Sequence, residues 1–182
     1  KGADGIIAVA AGAGGHAGTQ SPFALVQEIR RWFDGPLLLS GAIAHGRSIL
    51  AALAAGADFA YIGSAFLATQ EANVVPAYKA MIIESTARDI VYSNLFTGVH
   101  GNYLRGSIEA AGLDPAALEQ SDPSAMRFGS NGMSGAKAWK DIWGSGQGIG
   151  AIHSALSTEE FVARLEREFD AARRALDERV AG

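Results

Sequence analysis

Apolar and polar positions follow two regimes along this chain. In the first third, short continuous apolar runs alternate with amphipathic stretches; beyond Ser64 only helical spacing recurs. Ile6-Ile7-Ala8-Val9-Ala10 heads the series and reads as a buried strand over 5–10. Ser21-Pro22 then opens a helix, with serine as N-cap and proline at the first helical position. Phe23, Val26, Ile29 and Phe33 supply its apolar face, and Asp34-Gly35-Pro36 stops it. Leu37-Leu38-Leu39 is too short for an exposed helix and reads as a strand buried on both faces. An alanine-rich helix over 47–55 closes on Gly56, and Phe59-Ala60-Tyr61-Ile62 is the third strand. The order βαβαβ with short connections means parallel strands and right-handed helical crossovers. Two architectures carry it, a doubly wound open sheet and a (β/α)8 barrel.

Past Ser64 the pattern predicts helices over 76–85 and 102–111, and a short one opened by Asp114-Pro115. A surface loop rich in serine, glycine and proline follows over 121–135, then a helical segment over 146–155. Ser157-Thr158-Glu159-Glu160 is a capping box, and the helix behind it aligns Phe161, Leu165, Phe169, Ala172 and Leu176. No further strand of comparable strength is expected. The opening Gly2-Ala3-Asp4 recurs as Gly56-Ala57-Asp58, where the glycine ends a helix and the aspartate leads into a strand. By analogy the first copy is the tail of a helix, and the chain is expected to be a piece of a larger domain.

Composition narrows the function classes. With 182 residues, 48% of them hydrophobic, the chain can build a sizeable core. A net charge of -4 gives no basic footprint for nucleic acid or an anionic membrane surface. There are no cysteines, which excludes disulfides, thiolate catalysis and cysteine metal sites. No apolar run approaches the ~20 residues that span a bilayer, and no signal-peptide pattern opens the sequence. The expected location is cytoplasmic.

The candidate chemistry lies at the strand ends. The first strand runs into Gly12-Ala13-Gly14-Gly15-His16-Ala17-Gly18, a histidine set among glycines. Two readings stand: a ligand-facing loop with an acid–base group, or a flexible turn with an exposed histidine. The stretch also satisfies the G-x-G-x-x-G/A dinucleotide pattern, with Asp34 about 20 residues on. Its context argues against that, because the next helix starts only near Pro22 and Asp34 precedes the second strand. The second strand ends in Ser40-Gly41-Ala42 and the third in Gly63-Ser64. Three such ends in succession suit a phosphate-bearing ligand, which accepts hydrogen bonds from unshielded amides and hydroxyls. Ordinary βα turns favour the same residues. Trp143-Gly144-Ser145-Gly146-Gln147-Gly148-Ile149-Gly150 suits either a ligand or close helix packing. Trp139 and Trp143, four apart, are expected to share a helix face in packing. His45, His100 and His153 lack metal-ligand spacing, so no metal is assigned. Asn94 and the polar, glycine-interrupted segment from Thr97 to Tyr103 suggest a lid or rim.

Taken in order, Gly14-Gly15-His16-Ala17-Gly18, Ser40-Gly41-Ala42-Ile43 with Gly46-Arg47, and Gly56-Ala57-Asp58 followed by Gly63-Ser64-Ala65-Phe66-Leu67-Ala68-Thr69-Gln70-Glu71 resemble the nitronate monooxygenase (2-nitropropane dioxygenase) family. Gly146-Gln147-Gly148 also fits. The resemblance covers nearly the whole chain, best through Glu71. It implies an α/β fold, the C-terminal part of an FMN-holding TIM barrel plus a mainly helical region. The three parallel βα units, strands six to eight, would occupy residues 1–71, a helical substrate-side insertion 72–135, and helices packing back on the barrel 136–182. Gly14, Gly15, Ser40, Gly41, Ala42, Gly63, Ser64 and Gln147 would contact FMN, and His16 would be the catalytic histidine. The chain departs from the commonest family pattern at Ala42, where glycine is frequent, and at Ser64, where threonine is. The implied reaction is oxidation of alkyl nitronates by O2 to a carbonyl compound and nitrite. Relatives with similar loops imply alternatives: NAD(P)H-dependent reduction of quinones or of enoyl-acyl-carrier-protein. A non-catalytic phosphate-ligand binding fragment is a third. Three strands alone leave two open edges, so homo-oligomerisation or association with a missing N-terminal half is expected.

Overall fold

A computed structural model describes residues 2–121 and 138–182, the backbone alone at 138 and 139. The fold is α/β. Strands β1 (Ile6–Val9), β3 (Leu37–Ser40) and β4 (Phe59–Tyr61) form a parallel sheet in the order β1-β3-β4. Ile6 pairs with Leu37 and Leu38 with Phe59, so the three strands end level with one another. The crossovers α1 (Pro22–Arg30) and α2 (Gly46–Ala54) pack on one face of this sheet. Ala8, Leu37 and Leu39 from the strands meet Val26, Ile29 and Ala52 there. Side chains alternate between faces along a strand. The opposite face therefore carries Ile7, Val9, Phe59 and Tyr61, which are 51, 41, 57 and 48% exposed. Burial on both faces, the expectation from continuous apolar runs, holds on one face among the described residues.

The helix boundaries follow local chemistry. Proline opens α1 behind Ser21, although Phe23 points outward and Leu25 packs against the core in its place. Arg30 closes the turn after α1 by donating to the carbonyls of Gly35 (2.8 Å) and Gly56 (2.7 Å) and to the Asp58 carboxylate (2.7 Å). Asp58 also accepts from Leu37 N at 2.8 Å; that bond and then Arg30 hold its carboxyl below the usual range. The long α7 (Thr158–Ala181) opens on the expected capping box: Ser157 Oγ accepts from Glu160 N, and Glu160 Oε2 from Ser157 N. It buries Phe161, Leu165 and Ala172, while Leu176 stays 44% exposed. It crosses α2 so closely that a Cβ on Gly46 would lie 2.1 Å from Phe169 N.

The structure departs from the pattern reading past Ser64. After α3 (Ser64–Leu67) and the expected α4 (Pro76–Glu84), the chain forms β5 (Ile90–Ser93) and β6 (Gly101–Leu104). These two pair antiparallel and join β2 (Gly15–His16) in a second sheet, β2-β6-β5. The helix expected over 102–111 is thus only its latter part, α5 (Arg105–Ala110). Asp114-Pro115 makes a turn, with Asp114 Oδ1 accepting from Ala116 N at 2.9 Å. The helical segment expected over 146–155 shrinks to a 3₁₀ helix at Gln147–Ala151. Trp143 lies past α6 (Ala138–Asp141), so it shares no helix face with Trp139, whose side chain lies outside the described ones. Apart from Ser121, the loop expected over 121–135 also lies outside the described residues. Among the described residues no helix is long and apolar enough to cross a membrane.

Candidate active site

The parallel register brings all three strand ends to one edge of the sheet, and backbone hydrogen bonds knit them together. Ala10 N donates to Ser40 O at 2.8 Å. The carbonyl of Gly12 accepts from both Ala42 N (3.1 Å) and Gln147 N (2.9 Å), fastening two strand-end loops to the glycine run before α7. Gly12 needs its φ of 85°, and Gly41 has φ 147° with Ala11 O 2.8 Å from where a Cβ would sit. Ala42 is the one described non-glycine residue at positive φ, 55°. Side chains there crowd the carbonyl that follows, at a cost of roughly 1–2 kcal/mol.

These loops enclose a small cavity of about 80 Å³. Six of the predicted cofactor residues line it together: Gly14, Ser40, Gly41, Ala42, Gly63 and Ser64. Gly146 closes it from the glycine run, its N–H donating to Ser64 Oγ at 2.8 Å. Gly63 has φ −115°, and a Cβ there would meet nothing within 4 Å. Neither backbone nor packing demands a glycine at that position, which opens onto free space at the edge of the cavity.

A second cavity of about 240 Å³ begins at the next residues along the loop, Gly15 and His16. His16 is exposed, yet its backbone is not a flexible turn. Gly15 pairs with Asn102 and His16 with Gly101 in the second sheet. The buried Asn102 donates from Nδ2 to Ala13 O at 2.7 Å, while its carbonyl accepts from Ser145 N at 3.1 Å. Beyond the histidine, Ala17 N donates to His100 O, and Tyr92 Oη donates to Ala17 O at 2.9 Å. The ring itself meets Thr97, with Nε2 3.0 Å from Oγ1. That hydroxyl gives its own proton to Val99 O at 2.9 Å and accepts from Val99 N at 3.3 Å. The Thr97 hydroxyl thus ties the His16 ring to the turn at Val99.

Aromatic side chains form the rest of this second cavity. Tyr78 stacks on Trp143 with centroids 4.9 Å apart, and Phe96 meets Tyr103 edge-on at 4.9 Å. Burial pushes the Tyr78 phenol up to about 12, so it stays neutral and donates to the Gly144 carbonyl. Sequence reasoning marked Thr97, Asn102 and Tyr103 only as part of a lid or rim and missed Tyr78, Phe96 and Ile142 as lining residues. The polar, glycine-broken segment after β5 was the signal for the first three; Tyr78, on α4, lies before it.

The remaining candidates fall elsewhere. Gln147 lines neither cavity; its Oε1 lies against Gly12, 3.0 Å from a would-be Cβ. Asp34 sits before β3, at the end of the sheet away from the cavities, and α1 starts only at Pro22, which rules out the dinucleotide geometry. His45 caps α2, its Nδ1 accepting from Arg47 N at 3.0 Å. Among the described residues no three His, Cys, Asp or Glu side chains cluster as metal ligands.

The family model for nitronate monooxygenase matches residues 1–168. A nitronate monooxygenase of Paraburkholderia phytofirmans is 32% identical over 182 residues, covering 92% of this chain and 49% of the relative. The structure of a nitroalkane oxidase from Streptomyces ansochromogenes superposes with a TM-score of 0.71 at 31% identity, covering 96% of this chain and 54% of that one. FabK from Thermotoga maritima superposes with a TM-score of 0.75 at 26% identity, covering 97% and 58%. The chain thus spans about half the length of the relatives it matches.

Proposed function

This chain belongs to the nitronate monooxygenase family, a family of flavin oxidoreductases, and on that footing we propose that it carries the histidine side of an FMN site that oxidises alkyl nitronates with O2 to a carbonyl compound and nitrite. The observation that carries the reading is the seam between the two cavities. Gly14 lines the first, while Gly15 and His16 open the second. A cofactor in one thus abuts a substrate in the other.

The residues present fit FMN. Gly41, Gly63 and Ser64 offer backbone N–H groups, and Ser40 and Ser64 hydroxyls, to its phosphate and ribityl chain, Ala42 lines the same cavity, and the open space at Gly63 leaves the approach clear. Gly14 and Gly15 let the chain lie close to it, and Gln147 braces that loop through Gly12. Bound FMN supplies the electron transfer between nitronate and O2. His16 orients the anionic nitronate, donating a hydrogen bond when protonated. Toward a neutral nitroalkane it acts as the base at the carbon beside the nitro group, with Thr97 holding the ring in place.

The same reading makes β1, β3 and β4 the sixth, seventh and eighth strands of a TIM barrel. The exposed apolar face of Ile7, Val9, Phe59 and Tyr61 supports it, because inward-facing side chains of such a barrel stack in layers with those of the other strands. We place the enzyme in the cytoplasm, acting on small molecules and O2, its barrel completed by further strands. The size of the second cavity favours one alternative, NAD(P)H-dependent reduction of a quinone or an enoyl-acyl-carrier-protein.

The test uses the complete, FMN-loaded protein: nitrite release from propyl nitronate, beside NADH oxidation with a quinone or an enoyl thioester. Nitrite release is expected. NADH consumption without nitrite refutes the monooxygenase reading, and unchanged turnover in His16→Ala with FMN retained removes the catalytic role of His16.

A further inference from the structure

None of the described residues that line the smaller cavity belongs to α7, yet two α7 side chains hold that cavity from behind. Residues 40–44 carry one wall from the end of β3 towards α2, and the glycine run carries another at Gly146 and Gly148. The two walls touch, since a Cβ on Gly148 would lie 2.8 Å from Ala42 C. Arg164 bonds to both. Its Nη2 donates to Ala44 O at 3.4 Å and to Ala151 O, at the end of the 3₁₀ helix, at 3.3 Å. One turn further along, Glu168 Oε2 accepts from Gly46 N at 2.9 Å, while Oε1 forms an ion pair with Arg164 Nε at 3.3 Å. The Phe161 ring lies 5.0 Å from the guanidinium carbon and supports its charge, and the two charged side chains are 20 and 21% exposed.

We propose that Arg164 and Glu168 are positioning residues for the phosphate of FMN, fixing residues 40–46 from outside the cavity in the arrangement that receives it. The inference rests on the FMN reading above and goes beyond it, to side chains that touch no cofactor. The physical ground is preorganisation. A loop already in its binding arrangement loses no affinity to being ordered, whereas one found there a tenth of the time binds about tenfold more weakly. The bonds from Arg164 and Glu168 are of the size to set that population. Losing a charge-assisted hydrogen bond and leaving its buried backbone partner unpaired shifts an equilibrium by about tenfold or more.

The full-length protein, stripped of flavin, is titrated by flavin fluorescence with FMN and with riboflavin, which lacks the phosphate. The parent is expected to bind FMN more tightly than riboflavin. Arg164→Met and Glu168→Ala are each expected to weaken FMN about tenfold and to leave riboflavin within about twofold. Glu168→Gln keeps an acceptor for Gly46 N and is expected to stay close to the parent. Parent-like FMN affinity in folded Arg164→Met and Glu168→Ala proteins overturns the proposal. So does an equal loss for FMN and riboflavin, which marks damage to the fold rather than placement of the loop. If Arg164→Met does not fold, Glu168→Ala and Glu168→Gln decide by the same ratio. The FMN reading fails separately, in the parent alone: riboflavin bound as tightly as FMN refutes the phosphate placement and removes the proposal with it.

Discussion

Gly14 is where the two cavities and the glycine run meet, and replacing it with alanine probes all three. A Cβ at that position would lie 2.7 Å from Gly146 N, 2.7 Å from Ser64 Oγ and 2.9 Å from Ser145 C. Two of those atoms are backbone, so the methyl forces either the Gly14 loop or the 144–148 segment aside. Overpacking of this kind costs roughly 1–3 kcal/mol. The displacement also breaks the 2.8 Å bond from Gly146 N to Ser64 Oγ, worth about 1 kcal/mol. Gly14→Ala is therefore expected to destabilise the apo protein by about 2–4 kcal/mol and to weaken FMN binding. Gly63→Ala is the control, because its Cβ meets no protein atom within 4 Å. Its apo stability should stay within about 0.5 kcal/mol of the parent while FMN affinity falls at least ~10-fold. Denaturant unfolding of the apo protein and fluorescence titration with FMN measure the two quantities. Unchanged stability in Gly14→Ala refutes the packing argument. Parent-like FMN affinity in Gly63→Ala refutes the placement of the cofactor.

Three further outcomes are expected. Ala42→Gly should raise the denaturation midpoint, gaining about 0.5–1 kcal/mol, because relief at φ 55° exceeds the extra chain entropy of glycine; a lower midpoint contradicts it. Thr97→Val should lower kcat about tenfold with little change in KM, and Thr97→Ser should restore it, since serine keeps a hydroxyl 3.0 Å from His16 Nε2; equal kcat in all three proteins counts against a positioning role for Thr97. Asp58 has a carboxyl held below its ordinary value by Leu37 N–H and Arg30, so the folded state binds its proton less tightly than the unfolded one. Its contribution is present above the unfolded value and lost as pH falls through the lower folded one. The stability gap between parent and Asp58→Asn should therefore close on acidification below the usual carboxylate range, and a gap constant down to pH ~2 refutes the linkage.

The parallel sheet was legible because its signals are local and mutually consistent. Leu37-Leu38-Leu39 is continuous and bounded by Pro36 and Gly41, and Ser21-Pro22 and Ser157 to Glu160 mark helix starts that the structure keeps. The glycine- and serine-rich strand ends were legible for the same reason, and six of their residues line one cavity. The second sheet was not. Gly101-Asn102-Tyr103-Leu104 has all four residues buried and so no alternation, and it opens with glycine and asparagine, which strands ordinarily avoid. The helix that follows at Arg105 lent its spacing to the whole stretch.

Sequence alone determined that this chain has parallel strands ending in glycine- and serine-rich loops and that His16 belongs to one of them. Only the tertiary structure decided how that histidine is held. Its fixed position depends on pairing with Gly101 and Asn102 and on the hydroxyl of Thr97, partners more than 80 residues away. The aromatic walls beside it come likewise from Tyr78, Phe96, Tyr103 and Trp143, on four separate stretches of chain. Helix caps and strand periodicity are written in neighbouring residues, whereas a non-hydrogen-bonded histidine loop and a β2-β6 clamp differ only in contacts that exist once the chain has folded.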